Sequence, residues 1–498
     1  MQRPGLVLRY RVWAFFFACG ACDEIMNDSY WQNSGPAGGR IMPAPPTILR
    51  CSLLVLIMVL AAGIAPADDI SGKTAAVPPQ WGKKTVTAFE HSTSCSICHQ
   101  HIFEQHAKSM HAKSFDNLVF RKIYFDVLLK RSGQEENLAE EMKGCIACHS
   151  PVTFLRTGGK VSAKEQVNPE LSGVECDLCH RITGYKGDEP GNGNYEAVPG
   201  TQKFGPFQRE TDWHHVYSEL QTKSEVCAIC HNRVNRFGLE IISTYSEWKA
   251  SRYAKEGIQC QDCHMNAKGF LTAGKAVFES GRASQNTLAG SPARSKLYTH
   301  GFPGAHSETQ VKGAINLYMQ VDSAALVPGE EAVISVLVDN SKSGHKLPTG
   351  TAELRVVYLE LYLQDGETII QLPASSPNDE LYDVSGKSGA DAEFLGEHFP
   401  QGRRLYRAVC VDSGGSQTFF SHDAAKIVFD NRLQADEVRK EFFTFSVPKD
   451  IGPEFAVVAK LYYLRYPDPF AEKIGVSRVK RVELAEVRKE IVLGDKAE

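Results

Sequence analysis

The sequence predicts two unlike domains in series: a helical, loop-rich domain over 91–312 and an all-β domain over 313–498. Two observations separate them. Five Cys-x-x-Cys-His segments stand between 95 and 264: CSICH at 95–99, CIACH at 145–149, CDLCH at 176–180, CAICH at 227–231 and CQDCH at 260–264. Beyond 313 there are none. There, segments such as EAVISVLVD (331–339), ELRVVYLELYL (353–363), KEFFTFSVP (440–448) and FAVVAKLYYLRY (455–466) are rich in β-branched and aromatic residues, and turn clusters such as QDGE (364–367) separate them. Short strands without a helical period make an immunoglobulin-like sandwich the expected form of the second domain.

Each motif is a c-type haem attachment signature. Two thiols three residues apart lie on one face of a helical turn, where they can form thioethers to two haem vinyl groups, and the next residue's imidazole reaches the iron. Cys95, Cys98, Cys145, Cys148, Cys176, Cys179, Cys227, Cys230, Cys260 and Cys263 are therefore read as holding five haems c. His99, His149, His180, His231 and His264 are read as the first axial ligands. The rival is zinc, which also takes CxxC pairs, but a zinc site has no use for a His directly after every second Cys. The motif-bearing stretch 91–306 allows about 43 residues per haem, too few for a separate apolar core around each, so the porphyrins are expected to form much of the core.

The motif spacing repeats. CIACH leads after 31 residues to CDLCH, and CAICH after 33 to CQDCH, which suggests a duplicated paired-haem unit. Segment 181–212, dense in Gly and Pro, reads as a connecting loop.

An apolar run at Cys51–Ala65, preceded by Arg50 and followed by an A-x-A pattern ending at Ala67, reads as a cleaved signal peptide over 1–67. Met42 is the expected true start, and 68–90 a linker. A retained membrane anchor, or lipidation at Cys19 or Cys22, is the alternative. Export places the protein in the periplasm or at the cell surface. Loss of 1–67 removes five Arg and three acidic residues and takes the net charge from −4 to −6. Haem propionates add to that, which disfavours nucleic acid and favours redox proteins as partners, other cytochromes or a quinol-linked donor, with self-association possible. Cys410, the one cysteine left over, reads as a buried small hydrophobe.

Whether each iron has one or two protein ligands separates a wire from an enzyme, since an open axial position binds substrate. Eleven histidines remain for this role. S-M-H-A at 109–112, H-H-V-Y-S at 214–218, E-W-K-A-S at 247–251 and H-G-F-P-G-A-H at 300–306, together with the five motifs, make 91–306 resemble the multihaem c-type cytochromes related to the nitrifiers' tetrahaem electron carrier, which shade into the octahaem hydroxylamine-oxidising enzymes. The resemblance implies His111, one of His214 or His215, His300 and His306 as distal ligands. Where relatives repeat S-x-H before the last motif, this chain has Ser251-Arg252-Tyr253, so no ligand is expected there. His345, between Gly344 and Pro348, is the candidate for the fifth iron, with a surface turn as its alternative. His101 and His106 read as exposed or supporting residues, His398 and His422 as surface residues. Asp177 and Asp262, inside motifs, either tune potentials or are merely exposed.

The reading is a secreted pentahaem cytochrome c that passes electrons through closely stacked, mostly bis-His haems, rather than a catalyst. The alternatives are a nitrite- or hydroxylamine-type oxidoreductase with one open haem, and a subunit of an extracellular cytochrome filament.

Overall fold

The computed structural model describes residues 88–493 except 209–213, 287–290, 323–325, 376–381 and 387–389. The leader, Met42 and the cleavage after Ala67 lie outside these residues. The described residues form one unit, in which the helical and β parts pack on each other.

The haem-motif region is built of short helices: α1 (Ser92–Ser96), α2 (Gln100–Lys108), α3 (Leu138–His149), α4 (Cys176–Cys179), α5 (Glu225–His231), α6 (Thr244–Ala250), α7 (Arg252–Lys255) and α8 (Cys260–His264). Every motif sits on or at the end of one, so each motif histidine closes a helical turn. Helix α3 carries Glu140 and Glu141 in its first turn, where the helix dipole favours acids. It ends where Pro151 opens the next helix, Pro151–Thr157, itself stopped by Gly158 in the left-handed conformation (φ 64°). Leu138, Met142 and Ile146 of α3 pack on Phe115, Tyr124 and Leu128, the region's own apolar cluster. Tyr124 and Leu128 lie on the π-wound stretch Lys122–Leu128. Segment 181–212 is not all loop. It holds the hairpin Ile182–Tyr185 with Tyr195–Ala197, and Lys203–Gly205, which pairs in parallel with His215–Tyr217.

The β domain contains β1 (Asn316–Gln320), β2 (Glu331–Asp339), β3 (Val356–Asp365), β4 (Thr368–Leu372), β5 (Arg404–Tyr406), β6 (Val438–Ser446), β7 (Glu454–Leu464) and β8 (Val482–Val492). One sheet runs β6-β2-β1; the other runs β4-β3-β7-β8, with β5 also on β3. Inward residues of both sheets, among them Ile334, Val336, Leu359, Leu361, Phe443 and Leu461, form one cluster, so the sheets share a core. Each such side chain stabilises the fold by about 1.5–3 kcal/mol when fully buried. Strand β3 starts three residues later than its sequence pattern, because Ala352–Leu354 winds into a 3-10 turn that buries Glu353. Among the described residues no helix is long and apolar enough to cross a membrane.

Candidate haem sites

All sixteen histidines lie in the described residues. Four of the five motif histidines face a second imidazole. Ring centroids stand 5.9 Å apart for His99 and His214, 6.2 Å for His231 and His111, 6.3 Å for His180 and His300, and 6.3 Å for His264 and His345. Two metal–imidazole bonds of about 2.0 Å, with about 1.1 Å from each nitrogen to its ring centre, give a separation of about 6.2 Å. The pairs therefore fit a metal held between them. Zinc fits poorly: among the described residues no group of three or more His, Cys, Asp or Glu converges. The ten motif cysteines are free of disulfides, as thioether formation needs.

Ring nitrogens distinguish the roles. His99 Nδ1 bonds the Ala283 carbonyl at 2.8 Å, His149 Nδ1 that of Ser114 at 2.9 Å and His180 Nδ1 that of Phe204 at 2.6 Å. His300 Nδ1 reaches the Tyr298 carbonyl at 3.0 Å, and His345 Nδ1 that of Lys346 at 2.9 Å. A carbonyl only accepts, so Nδ1 carries the proton and Nε2 keeps its lone pair for a metal. Burial favours the neutral form of seven of the paired and motif rings: desolvation lowers His111 to about 3 and His149, His214, His264 and His300 to about 4, and also lowers His180 and His231. Neutral imidazole is the metal-binding form.

The same test separates the other candidates. His215 spends Nε2 on the Phe207 carbonyl at 2.6 Å, which leaves His214, held in place by the Lys203 N–H on its carbonyl at 2.7 Å, as the ring facing His99. His306 is not brought opposite any motif histidine. Its Nδ1 accepts from the Arg465 guanidinium at 2.6 Å, so the neutral ring carries its proton on Nε2 and has no lone pair there to give. His149 accordingly faces no second imidazole among the described residues. Its ring is stacked on Phe120 at 3.9 Å and 7°. His106 is buried with Nε2 on the Val174 carbonyl, and His101 bonds Glu279 at the surface. His398 is exposed. His422, expected at the surface, is instead buried, stacked on Phe420 beside Arg131 and Asp423.

The motifs are joined in a definite order. The thiols of Cys95 and Cys176 lie close enough to influence each other, as do those of Cys148 and Cys230 and of Cys227 and Cys260. Phe302 lies between distal rings of the third and fourth motifs, 4.5 Å from His111 and 6.1 Å from His300. Two of these joints use one latch. The Ser92 hydroxyl accepts from the Cys176 N–H at 3.1 Å and donates to Glu175; the Ser224 hydroxyl accepts from the Cys260 N–H at 3.0 Å and donates to Gln259 at 2.9 Å. The structural repeat thus joins the first motif with the third and the fourth with the fifth, whereas the spacing paired the second with the third. A Ser three residues before Cys95 and Cys227, and Glu or Gln just before Cys176 and Cys260, were the sequence signal. Asp177 is buried, paired with Lys203 and accepting from the Glu90 N–H at 2.8 Å, so it is not an exposed carboxylate. Asp262 caps its own helix through the Gln259 N–H at 2.8 Å. Cys410 is buried and burial pushes its thiol up to about 12.

Residues 94–181 match the family model for cytochrome c554 and c-prime. With the motifs, this makes the chain a multihaem c-type cytochrome. Its fold is similar to that of a penta-heme cytochrome c552 from Thermochromatium tepidum, at 22% identity over 82% of this chain and 100% of that one, with a TM-score of 0.57. The sporulation control protein Spo0M of Bacillus subtilis (15% identity, 36% of this chain, 49% of that chain, TM-score 0.14) and the fimbrial subunit AggA of Escherichia coli (9%, 36%, 91%, 0.17) are too distant to carry an argument. No curated protein matches the chain.

Proposed function

We propose that this is an exported pentahaem cytochrome c that relays electrons, with an immunoglobulin-like β domain capping the haem region. The four imidazole pairs carry the reading, because an iron held on both faces passes electrons without binding substrate. Haem, attached at the ten motif cysteines, supplies the electron-carrying iron. The chain's own residues fix its surroundings: backbone carbonyls set the imidazole tautomers, and the closeness of cysteines from different motifs would keep neighbouring haems near one another. The connected order runs from the first motif through the third to the fourth, which also meets the second and the fifth. Other cytochromes or a quinol-linked donor are the fitting partners for an acidic periplasmic protein.

One observation favours a second reading. An iron held by His149 would have an imidazole on one side only, so it is the place where a small ligand would bind and where a reductase or oxidase activity would reside. Intact mass together with visible and EPR spectra of the holoprotein tests both readings. Five haems, four low-spin and one high-spin, with one carbon monoxide bound after reduction, is the expected result. Uniformly low-spin spectra with no carbon monoxide binding would remove the open-iron reading; several high-spin haems would overturn the relay.

A further inference from the structure

We propose that Glu247 is the positioning residue that holds His345 opposite His264. The proposal rests on the reading that His345 completes the His264 iron, and it assigns the feature that puts a β-domain side chain there. His345 belongs to the loop that follows β2, yet its ring is nearly parallel to that of His264, at 12° and 6.3 Å. The loop is seated on α6. Glu247, in the first turn of that helix, receives four donors: Ser243 Oγ at 2.7 Å, Thr349 Oγ1 at 2.7 Å, Arg432 Nη1 at 2.9 Å and the Lys346 backbone N–H at 3.2 Å.

The last of these bonds matters most. The Lys346 N–H belongs to the peptide that leaves His345, and the carbonyl of that same peptide accepts from Asn340 Nδ2 at 3.2 Å. Gripped at both polar atoms, the peptide cannot turn, and the Lys346 carbonyl then holds the ring through Nδ1 at 2.9 Å. Both partners of the Glu247–Arg432 pair are buried, with side chains 5% and 3% exposed, so the carboxylate's bonds are shielded from water. The approach is close on the other side too. A Cβ on Gly344 would stand 3.3 Å from Trp248 Cδ1 and 3.4 Å from Tyr253 Cγ, so the loop is seated with no more than a few tenths of an ångström to spare.

The test uses the holoprotein and counts carbon monoxide bound after reduction, alongside the high-spin EPR signal. His345→Ala should add one equivalent over wild type. Glu247→Ala should open the same haem, so the double variant adds no more than His345→Ala alone. Glu247→Gln, which keeps one acceptor oxygen, should restore the wild-type count. If His345→Ala opens a haem and Glu247→Ala leaves the spectra unchanged, the positioning role is wrong and the ligand assignment stands. If His345→Ala itself changes nothing, the ligand assignment falls and the proposal falls with it. Should Glu247→Ala fail to fold, Glu247→Asp is the second probe: its carboxylate, one methylene shorter, falls short of the Lys346 N–H, so an added equivalent supports the proposal and an unchanged count overturns it.

Discussion

Replacing Asp177 with Asn should raise the reduction potential of the haems on the first and third motifs. Asp177 lies inside CDLCH with its side chain fully buried; the Cys95 thiol, raised chiefly by Cys176 and by burial, is pushed further up by Asp177 and pulled down by Lys203. In the native protein the carboxylate and the ammonium offset each other. The Asn variant removes one negative charge and leaves Lys203 in place, so the oxidised, more positive haem is destabilised. At an effective dielectric constant of about 20 and roughly 10 Å, one charge amounts to about 1.7 kcal/mol. For a one-electron couple that is about 70 mV. Spectroelectrochemical titration should show part of the curve moving up by tens of millivolts while the remainder stays fixed. The companion Asp177→Asn/Lys203→Met, which removes both charges, should return most of the way. A folded Asp177→Asn protein whose titration is unmoved or shifted downward would refute the reasoning.

Further expectations concern ligation, the latch and pH. His214→Ala should convert one low-spin haem to high-spin, whereas His215→Ala should leave the EPR spectrum intact, because only His214 faces His99. Ser224→Ala leaves the half-buried Cys260 N–H without its acceptor, at a cost of about 0.5–1.5 kcal/mol, and calorimetry should show Tm lowered by up to about 2–4 °C for each kcal/mol. Burial raises Glu353 from 4.5 to about 7, with its own backbone, Arg355 and Arg233 partly opposing. The unfolded chain therefore releases that proton first, and stability falls as pH rises from 4.5 to 7. Glu353→Gln should be more stable than wild type by up to about 3 kcal/mol at pH 8 and close to it at pH 4.5, as read by denaturant titration at the two pH values.

The haem motifs were legible because their chemistry is local: two thiols and an imidazole within five residues declare themselves without the fold. The β2 and β7 segments were legible for a similar reason, since period-two patterning and long apolar runs describe the faces a strand must bury. Distal ligation was only partly legible. His306 lies in a sequence that looks as ligand-like as that around His300, and what separates them is Arg465, contributed from far along the chain. The buried position of His422 likewise depends on Arg131, 291 residues away. The repeat was visible as spacing, but its pairing is set by hydroxyl-to-amide bonds between motifs, which residue counting cannot register.

The arrangement around His149 would orient the ligand of an iron bound by that histidine alone. The ring's Nδ1 is fixed by the Ser114 carbonyl at 2.9 Å, the Ser114 hydroxyl in turn donates to the His149 carbonyl at 2.8 Å, and Phe120 covers one face at 3.9 Å. Three contacts from one short stretch of chain thus orient the imidazole. A distal ligand adds a second bond to the iron; it does not add orientation on this side. The electrostatics point the same way. Burial lowers His149 to about 4, so the ring stays a neutral ligand well below physiological pH whether or not the far side is occupied. A one-sided iron in this position is therefore compatible with a rigid relay. A relay that passed between the fourth and second motifs, where Cys230 and Cys148 lie close together, and a ligand site at His149 would make no conflicting demands on the same residues.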